Sequence, residues 1–427
     1  MLDIILEELK KASPDGWEVT DTQTLGWEFY LIRHRLDQNR AKRVQHIRVK
    51  VYQKSGGGQF LGSASGEIPP TASREEAARL IARLQANAAL VKNPVYALNR
   101  PSDRTAEAAA ETPDPKPVAK DFLSVLSRLP ETETAGLNSA EIFVSSVRRR
   151  LITSEGIDVT SVYPSSMLEA VLNARQEGHE IELYRMYESG ACDGEETLRR
   201  LTETMRFGED RLKAVPTPAL GRADVLFSTD ACLEIYRWFA MRMNAALKFR
   251  RLSDWEIGQD IAPSASGDRV TVTAAANLPN SSENAAYDDE GAPVLDAVML
   301  ENNVPRRFLG SRQFSQYLGL AESFIPGNYA VSGGTAQEEE LRAGDHLEVV
   351  EFSDFQVHPV TGDIAGEIRL GYLRRGGKTT VVTGGSVSGS MNDFVKTLRM
   401  SANTRQYNNW LVPAVTMLKD VTVTGAE

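Results

Sequence analysis

The spacing of apolar residues divides the first 98 residues into helices and strands. A first helix is indicated by the one-sided spacing of Leu2, Ile5, Leu6 and Leu9. Residues 27–32 and 47–53 are strand-like, which predicts two strands, and the glycines of 54–58 predict a turn after the second. Ser73 and Glu76 have the spacing of a capping box, so we expect a helix over 73–90. Its apolar stripe consists of Ala77, Leu80, Ile81, Leu84 and Ala88.

The middle of the chain alternates between polar segments and regular elements. Residues 99–117 are rich in proline, alanine and acidic side chains, a composition that favours a linker or mobile loop. Residues 118–218 contain strand-like stretches, such as 141–152, and a helical pattern over 194–207. We therefore expect an α+β region between the linker and a proline-containing segment that ends at 218.

From residue 219 onward the pattern changes to many short β-like runs. A helix over 229–248, with Ser228 or Thr229 as its cap, comes first. The predicted strands lie at 268–276, 294–300, 346–352, 366–373, 378–385 and 420–425. The fold class predicted for the chain is α+β, with an N-terminal α/β-mixed domain containing long helices and a C-terminal domain dominated by antiparallel sheet. The predicted units are 1–98, the linker 99–117, 118–218 and 219–427.

Composition narrows the classes of function. The formal net charge of −10 argues against a general grip on nucleic-acid phosphates. The basic stretch 33–50 is either an anion-facing patch or, as we favour, the solvent side of two strands. Two cysteines are too few for a disulfide framework or a zinc ribbon. Charged residues interrupt the first helix, so it lacks the apolar stretch of a signal peptide. No apolar run is long enough to span a bilayer, and we therefore expect a cytoplasmic protein without membrane contact.

The residues that most often carry catalysis form no recognisable motif. None of the five histidines lies in HExxH, so a metal site would need distant residues such as His346, His358 and Asp354. Cys232 falls in the first turn of the predicted helix, where the helix dipole would favour a thiolate. The alternative, which we favour, is a small core residue at the start of an apolar stripe.

Two kinds of turn remain as candidate binding elements. The acidic residues 288–290 are either ligands or a general base, or simply a solvated turn. The glycine-rich segments 54–58, 331–335 and 384–391 lack the lysine and the spacing of phosphate loops. Glycine also allows two backbones to approach closely, as when a peptide lies along a sheet edge.

Several C-terminal motifs resemble those of the TldD/PmbA family, known as modulators of DNA gyrase and as metallopeptidases. The order Tyr-Asp-Asp-Glu-Gly at 287–291, Glu-Asn-Asn at 301–303 and Leu-Gly at 318–319 is similar to the family's pattern. The segments 326–335, 383–403 and 412–425 resemble the family's later motifs, and the N-terminal layout also fits. The resemblance covers nearly the whole chain, although only the C-terminal motifs are specific.

The resemblance implies a role for the chain, and one departure from the family's pattern decides which branch of the family the chain resembles. Catalytic members carry HExxxH on the helix that follows a Val-Leu-Phe-type strand, and a later cysteine completes their zinc site. Here 225–243 contains no histidine and no cysteine follows Ser386, so the resemblance is to the TldE/PmbA branch. It implies no catalytic or metal residue in this chain, zinc only in a TldD-like partner, and a cleft for unfolded peptide. The expected cleft residues are Asp288, Asp289, Glu290, Gly291, Gly333, Gly334, Thr335, Gly384, Gly385, Ser386 and Ser388.

Three functions stay open on this basis. The chain is a non-catalytic subunit in a heterodimer with an HExxxH partner, or a homodimeric peptide-binding scaffold without a protease role. The third is a divergent enzyme that uses Cys232, the acidic turn or the distant histidines. We rank them in that order.

Overall fold

The computed structural model describes residues 1–102, 114–320 and 323–426. Most of the predicted linker 99–117 lies outside these residues, and a helix begins at its end. The N-terminal helices and strands are α1 Leu2–Ala12, β1 Gly16–Ile32, β2 Arg35–Ser55, β3 Phe60–Ile68, α2 Arg74–Leu90, α3 Lys116–Ser127, β4 Ala135–Thr153, β5 Asp158–Gln176, β6 His179–Ser189 and α4 Gly194–Leu212. A single 3-10 turn, Gly56–Gly58, joins β2 to β3 as the glycines predict.

The six N-terminal strands form one antiparallel sheet in the order β3-β2-β1-β4-β5-β6. β1 pairs with β4 from Glu18 opposite Thr153 to Ile32 opposite Ser139. Strands from before and after residues 99–117 are therefore neighbours, and this segment does not divide the sheet. The basic stretch 33–50 lies on β2 and the turn before it, and its first part is exposed to solvent.

The four N-terminal helices cover one face of this sheet. α1 and α2 pack on β1, β2 and β3 through a core that includes Ile5, Leu9, Val49 and Ile81. α3 and α4 pack on the other half, against β4 and β5. The predicted capping box of α2 is present, since the Ser73 and Glu76 side chains each bond the other residue's backbone N–H.

The C-terminal region consists of two sheets and short helices. Its elements are β7 Val215–Pro216, β8 Gly221–Phe227, α5 Cys232–Arg242, α6 Ala245–Phe249, β9 Val272–Ala275, β10 Ala297–Glu301, β11 Val304–Pro305, α7 Arg312–Tyr317, β12 Asn328–Val331, α8 Glu338–Leu341, β13 His346–Val357, β14 Asp363–Arg375, β15 Lys378–Thr383, β16 Ser386–Ser390, α9 Met391–Phe394, β17 Arg399–Met400, β18 Thr404–Tyr407, β19 Trp410–Pro413 and β20 Thr416–Thr424. The first sheet has the order β11-β10-β9-β12-β19-β18, and the second β13-β8-β20-β16-β14-β15-β7.

Helix α5 is buried in a core to which both C-terminal sheets contribute. Cys232, Ile235, Tyr236 and Phe239 are fully buried there, beside residues from β9, β13 and β19. The Trp238 and Trp255 rings meet edge to face at 5.3 Å between centroids. Most strand pairs are antiparallel, which confirms the predicted α+β class and the sheet-rich C-terminal half.

The helix predicted over 229–248 is in fact two helices, and its predicted cap is wrong. α5 ends at Arg242, and the extended backbone of Asn244 then starts α6. The Asn244 side chain accepts the N–H of Ala246 at 2.9 Å, so this asparagine is a local cap that the apolar stripe conceals. α5 begins after Ala231 without a side-chain cap, and the Thr229 hydroxyl instead donates to the Val350 carbonyl at 3.3 Å.

Contacts between α4, β6 and the second C-terminal sheet join the two halves of the molecule. Leu183 and Phe207 pack against Val350 and Leu370 in a small apolar cluster. Tyr372 also donates a hydrogen bond of 2.6 Å to an α4 carboxylate, that of Asp210. Within the described residues, no helix has the length and apolar character needed to cross a bilayer.

Candidate functional site

A cleft lies beside α4 and β6, and segments of the C-terminal region form its other walls. It contains a cavity of about 480 Å³ at the β6 side and a second of about 370 Å³ toward α8 and β13. A narrow space of about 30 Å³ shares wall residues with both, so we call it the constriction. The two larger volumes are in the range of ligand-binding pockets in proteins.

Four elements that are distant in sequence build the constriction. β6 supplies Tyr187, α4 supplies Arg200, the lead-in to α5 supplies Asp230, and β18 supplies Arg405 and Tyr407. Arg405 lines all three spaces, because β18 lies between them. The segment before α5 therefore faces the cleft, although most of the helix itself is buried.

The constriction carries more positive than negative charge. It is lined by four arginines, namely Arg185, Arg199, Arg200 and Arg405, and by the carboxylates of Glu203 and Asp230. Arg185 forms an ion pair with Glu351, and Arg199 pairs with Glu196 and Glu203. Among the described residues, Arg200 and Arg405 have no carboxylate oxygen within 4.0 Å. Two cationic groups are thus left without an ion-pair partner in a chain with a net charge of −10.

The two unpaired guanidinium groups are nevertheless held in place. Arg200 lies over the rings of Tyr187 and Tyr407, at 4.3 and 5.0 Å from their centroids. Arg405 donates one N–H to the Ser228 carbonyl at 3.2 Å. Stacking and one backbone contact leave most of the guanidinium donors available to a ligand.

The positive field of these groups acts on the neighbouring carboxylates. Burial by itself raises the pKa of Glu196, but the hydrogen bond from Arg199 and the charges of Arg199, Arg200 and Arg405 lower it below the ordinary value. Burial also raises the pKa of Tyr187, so this phenol stays neutral beside the arginines. Beside the constriction, the arginines therefore favour the ionised form of the Glu196 carboxyl.

The predicted acidic turn lies elsewhere, and Asp288 holds it together. Its carboxylate accepts the N–H groups of Glu290 and Ala292, both at 2.9 Å, and that of Ile325 at 2.8 Å. The residue is buried, and desolvation raises the pKa of its carboxyl above the usual range despite these backbone bonds. Asp288 is therefore neither a solvated turn residue nor a free general base.

Two of the next three residues contact β4 or the turn that follows it, and the third contacts the start of α7. Asp289 is exposed and pairs with Arg149 of β4. Glu290 accepts the Arg312 N–H at 2.6 Å, and burial raises the pKa of its carboxyl to about 7. Gly291 has φ +78°, and a Cβ atom there would lie 3.0 Å from the Ile157 side chain.

The segment 333–335 packs against the backbone of the residues that precede β18. Cβ atoms at Gly333 and Gly334 would overlap the carbonyl oxygens of Ala402 and Met400, just before β18. The Gly334 N–H donates to the Ser401 carbonyl at 2.9 Å. These glycines allow a close backbone approach, but the neighbouring backbone belongs to the same chain.

The segment 384–388 packs against the last strand. Gly384 and Gly385 have φ of +75° and +78°, and they form the turn between β15 and β16. The hydroxyl groups of Ser386 and Thr424 lie 2.7 Å apart, and Ser388 pairs with Ala365 and Thr422 in the sheet. No described contact brings this turn to the acidic turn or to Gly333–Thr335.

The candidate metal and nucleophile residues are dispersed or buried. His346 begins β13 and His358 directly follows its last residue, so at the rise of a β-strand the two lie up to roughly 40 Å apart. No group of three metal-ligating side chains is present among the described residues. Cys232 is fully buried, and desolvation raises the pKa of its thiol far above the usual value. Burial thus outweighs the helix dipole, and the core interpretation of Cys232 is confirmed.

Sequence reasoning missed Arg200, Arg405, Tyr187 and Tyr407. Arg200 follows another arginine on the polar side of α4, and Arg405 lies in a short strand without apolar alternation. Neither position differs locally from an ordinary surface arginine. Their unpaired charges become visible only when β6, α4 and β18 are placed side by side.

The chain is similar in sequence to one family and in fold to several solved structures. Residues 220–425 match the family described as the PmbA/TldA metallopeptidase C-terminal domain. No curated protein sequence matches the chain.

Three solved structures share the fold over nearly the full length. TldE from Thermococcus kodakarensis is 15% identical, covers 100% of both chains and has a TM-score of 0.78. A proposed modulator of DNA gyrase from Thermotoga maritima is 16% identical, with 100% and 99% coverage of this chain and its own and a TM-score of 0.78. A proposed modulator from Bacteroides thetaiotaomicron is 16% identical, covers 99% and 98%, and has a TM-score of 0.79.

Proposed function

The chain belongs to the TldD/PmbA family, and from that premise we propose that it is a non-catalytic, TldE-like subunit of a two-chain metallopeptidase. The metallopeptidase description of the family supports the reaction class, namely hydrolysis of peptides. The proposal assigns zinc and catalysis to a TldD-like partner with HExxxH, and assigns part of the substrate cleft to this chain.

The observation that carries the proposal is the set of side chains on α5. In catalytic members, the resemblance places two histidine ligands on the helix after the Val-Leu-Phe strand, which is β8 here. α5 instead places Cys232, Ile235, Tyr236 and Phe239 in the apolar core, and one cysteine cannot supply the three ligands that a catalytic zinc needs. Thr229 and Asp230, which precede this helix, line the constriction.

Metal content and peptidase activity test the proposal together. We expect the purified chain to contain no stoichiometric zinc by elemental analysis and to cleave no unfolded peptide. Mixing it with an HExxxH-bearing relative from the same organism should give zinc-dependent cleavage and a complex of the two chains on gel filtration. A partner whose HExxxH glutamate is replaced by glutamine is the matched control and should form the complex without cleavage.

Two results would contradict the subunit role. One is chelator-sensitive cleavage by the lone chain, which would require a metal site other than α5. The other is an organism that encodes no HExxxH relative, because the subunit would then lack its catalytic partner.

A second function, peptide binding by a homodimeric scaffold without proteolysis, is favoured by one observation. The cleft with its unpaired Arg200 and Arg405 is complete within a single chain and needs no metal to bind a ligand. The two functions differ in the mixing experiment, since a scaffold gains no cleavage from the partner. Zinc-dependent cleavage in the mixture would therefore exclude the scaffold.

A further inference from the structure

We propose that Arg200 and Arg405 form a carboxylate-binding site in the constriction, and that this site receives the C-terminal carboxylate of a bound peptide. The inference rests on the proposed function, because it names the group of the peptide substrate that this chain binds.

The first argument is the state of the two arginines. Arg185 and Arg199 in the same wall have carboxylate partners, whereas Arg200 and Arg405 have none within 4.0 Å among the described residues. Arg200 and Arg405 are half-buried, so water reaches both groups, and a ligand carboxylate can replace that water. A guanidinium group offers paired N–H donors whose geometry matches a carboxylate.

The second argument is preorganisation. The Tyr187 and Tyr407 rings stack on the Arg200 guanidinium, and the Ser228 carbonyl holds Arg405. Neither group needs to lose much side-chain freedom when an anion binds, which increases affinity for a given set of contacts.

The third argument concerns which carboxylate fits. The constriction has a volume of about 30 Å³, whereas the adjoining cavity has about 480 Å³. A terminal carboxylate can enter the small space while the preceding residues occupy the large one.

Binding of matched peptides tests the site on the full chain. The probes are a fluorescein-labelled unfolded octapeptide with neutral side chains and a free C-terminus, and its C-terminally amidated twin. Fluorescence anisotropy should show the free acid binding about tenfold or more tightly than the amide. Arg405→Gln and Arg200→Gln should each weaken binding of the free acid by about 10- to 100-fold and leave the amide unchanged.

Two further variants separate charge, geometry and folding. Arg405→Lys keeps the charge but loses the fork, so its affinity should fall between those of the wild type and Arg405→Gln. Arg250→Gln is the matched control, because Arg250 also stacks on a ring, that of Phe314 at 5.2 Å, but does not line the cleft. Circular dichroism should show native secondary structure in all variants. If Arg200→Gln unfolds, the affinity of Arg405→Gln alone tests the site.

The outcomes distinguish this inference from the subunit role. Equal binding of acid and amide, no binding of either, or unchanged affinity in Arg405→Gln would overturn the carboxylate site. If the mixed complex cleaves both peptides with equal KM, the site is wrong although the subunit role stands. If the lone chain selects the free acid but no mixture cleaves peptide, the site stands and the subunit role is wrong.

Discussion

In the acidic turn, three backbone N–H groups satisfy the carboxylate of Asp288, whereas in the cleft the guanidinium groups of Arg200 and Arg405 meet no carboxylate within 4.0 Å among the described residues. Both regions combine charged side chains with partial burial. They differ in the partners of the charged groups. In the turn, backbone N–H groups stabilise the carboxylate, whereas in the cleft the two guanidinium groups have no carboxylate partner among the described residues.

This difference separates structural charge from binding charge. A buried polar group whose hydrogen bonds are complete stabilises a local conformation, and its removal leaves orphaned donors. A cation held in a cavity without a partner contributes little to folding and is free to bind. We therefore expect variants in the predicted segments to change stability, and variants in the cleft to change ligand affinity.

The largest expected effect is that of Gly334→Ala. The new Cβ atom would overlap the Met400 carbonyl and lie 2.9 Å from an Asp268 carboxylate oxygen, so backbone must move. We expect a loss of more than about 3 kcal/mol in the free energy of unfolding, measured by denaturant titration. Gly344→Ala is the control, because a Cβ atom there meets nothing within 4 Å. Equal stability of the two variants would refute the close-approach role.

Asp288→Ala should have the next largest effect. The substitution leaves the N–H groups of Glu290, Ala292 and Ile325 without their acceptor, at a cost of about 2–3 kcal/mol in unfolding free energy. Asp289→Ala, which removes only an exposed ion pair with Arg149, should cost about 1 kcal/mol or less. Free-acid peptide affinity should be unchanged in both, and a tenfold loss in Asp288→Ala would place the turn in the site.

Glu290→Gln should change stability only at higher pH. The folded protein holds the carboxyl proton up to a pKa of about 7, while the unfolded chain releases it near 4.5. Raising the pH through this window therefore destabilises the wild type, and the full penalty applies above pH 7. The glutamine variant lacks this charge, so at pH 8 we expect it to be about 1–3 kcal/mol more stable and at pH 4 equal to the wild type. A difference of the same size at both pH values would contradict the burial argument.

Some features follow from local sequence because their interactions are local. The capping box of Ser73 and Glu76, the apolar stripe of α2 and the alternation in β13 and β14 involve residues a few positions apart. The same reasoning failed at residue 244, since an asparagine cap inside an apolar stripe resembles an ordinary helical position.

By itself, the sequence determined the α+β class, the sheet-rich C-terminal half, the family and the absence of histidine from the helix that follows β8. Only the tertiary structure showed that the Asp288 carboxylate accepts three backbone N–H groups, that Cys232 is fully buried, and that Arg200 and Arg405 line the same cleft. The reason is physical: hydrogen-bond saturation, desolvation and unpaired charge depend on neighbours from β6, α4, α5 and β18, which lie up to about two hundred residues apart along the chain.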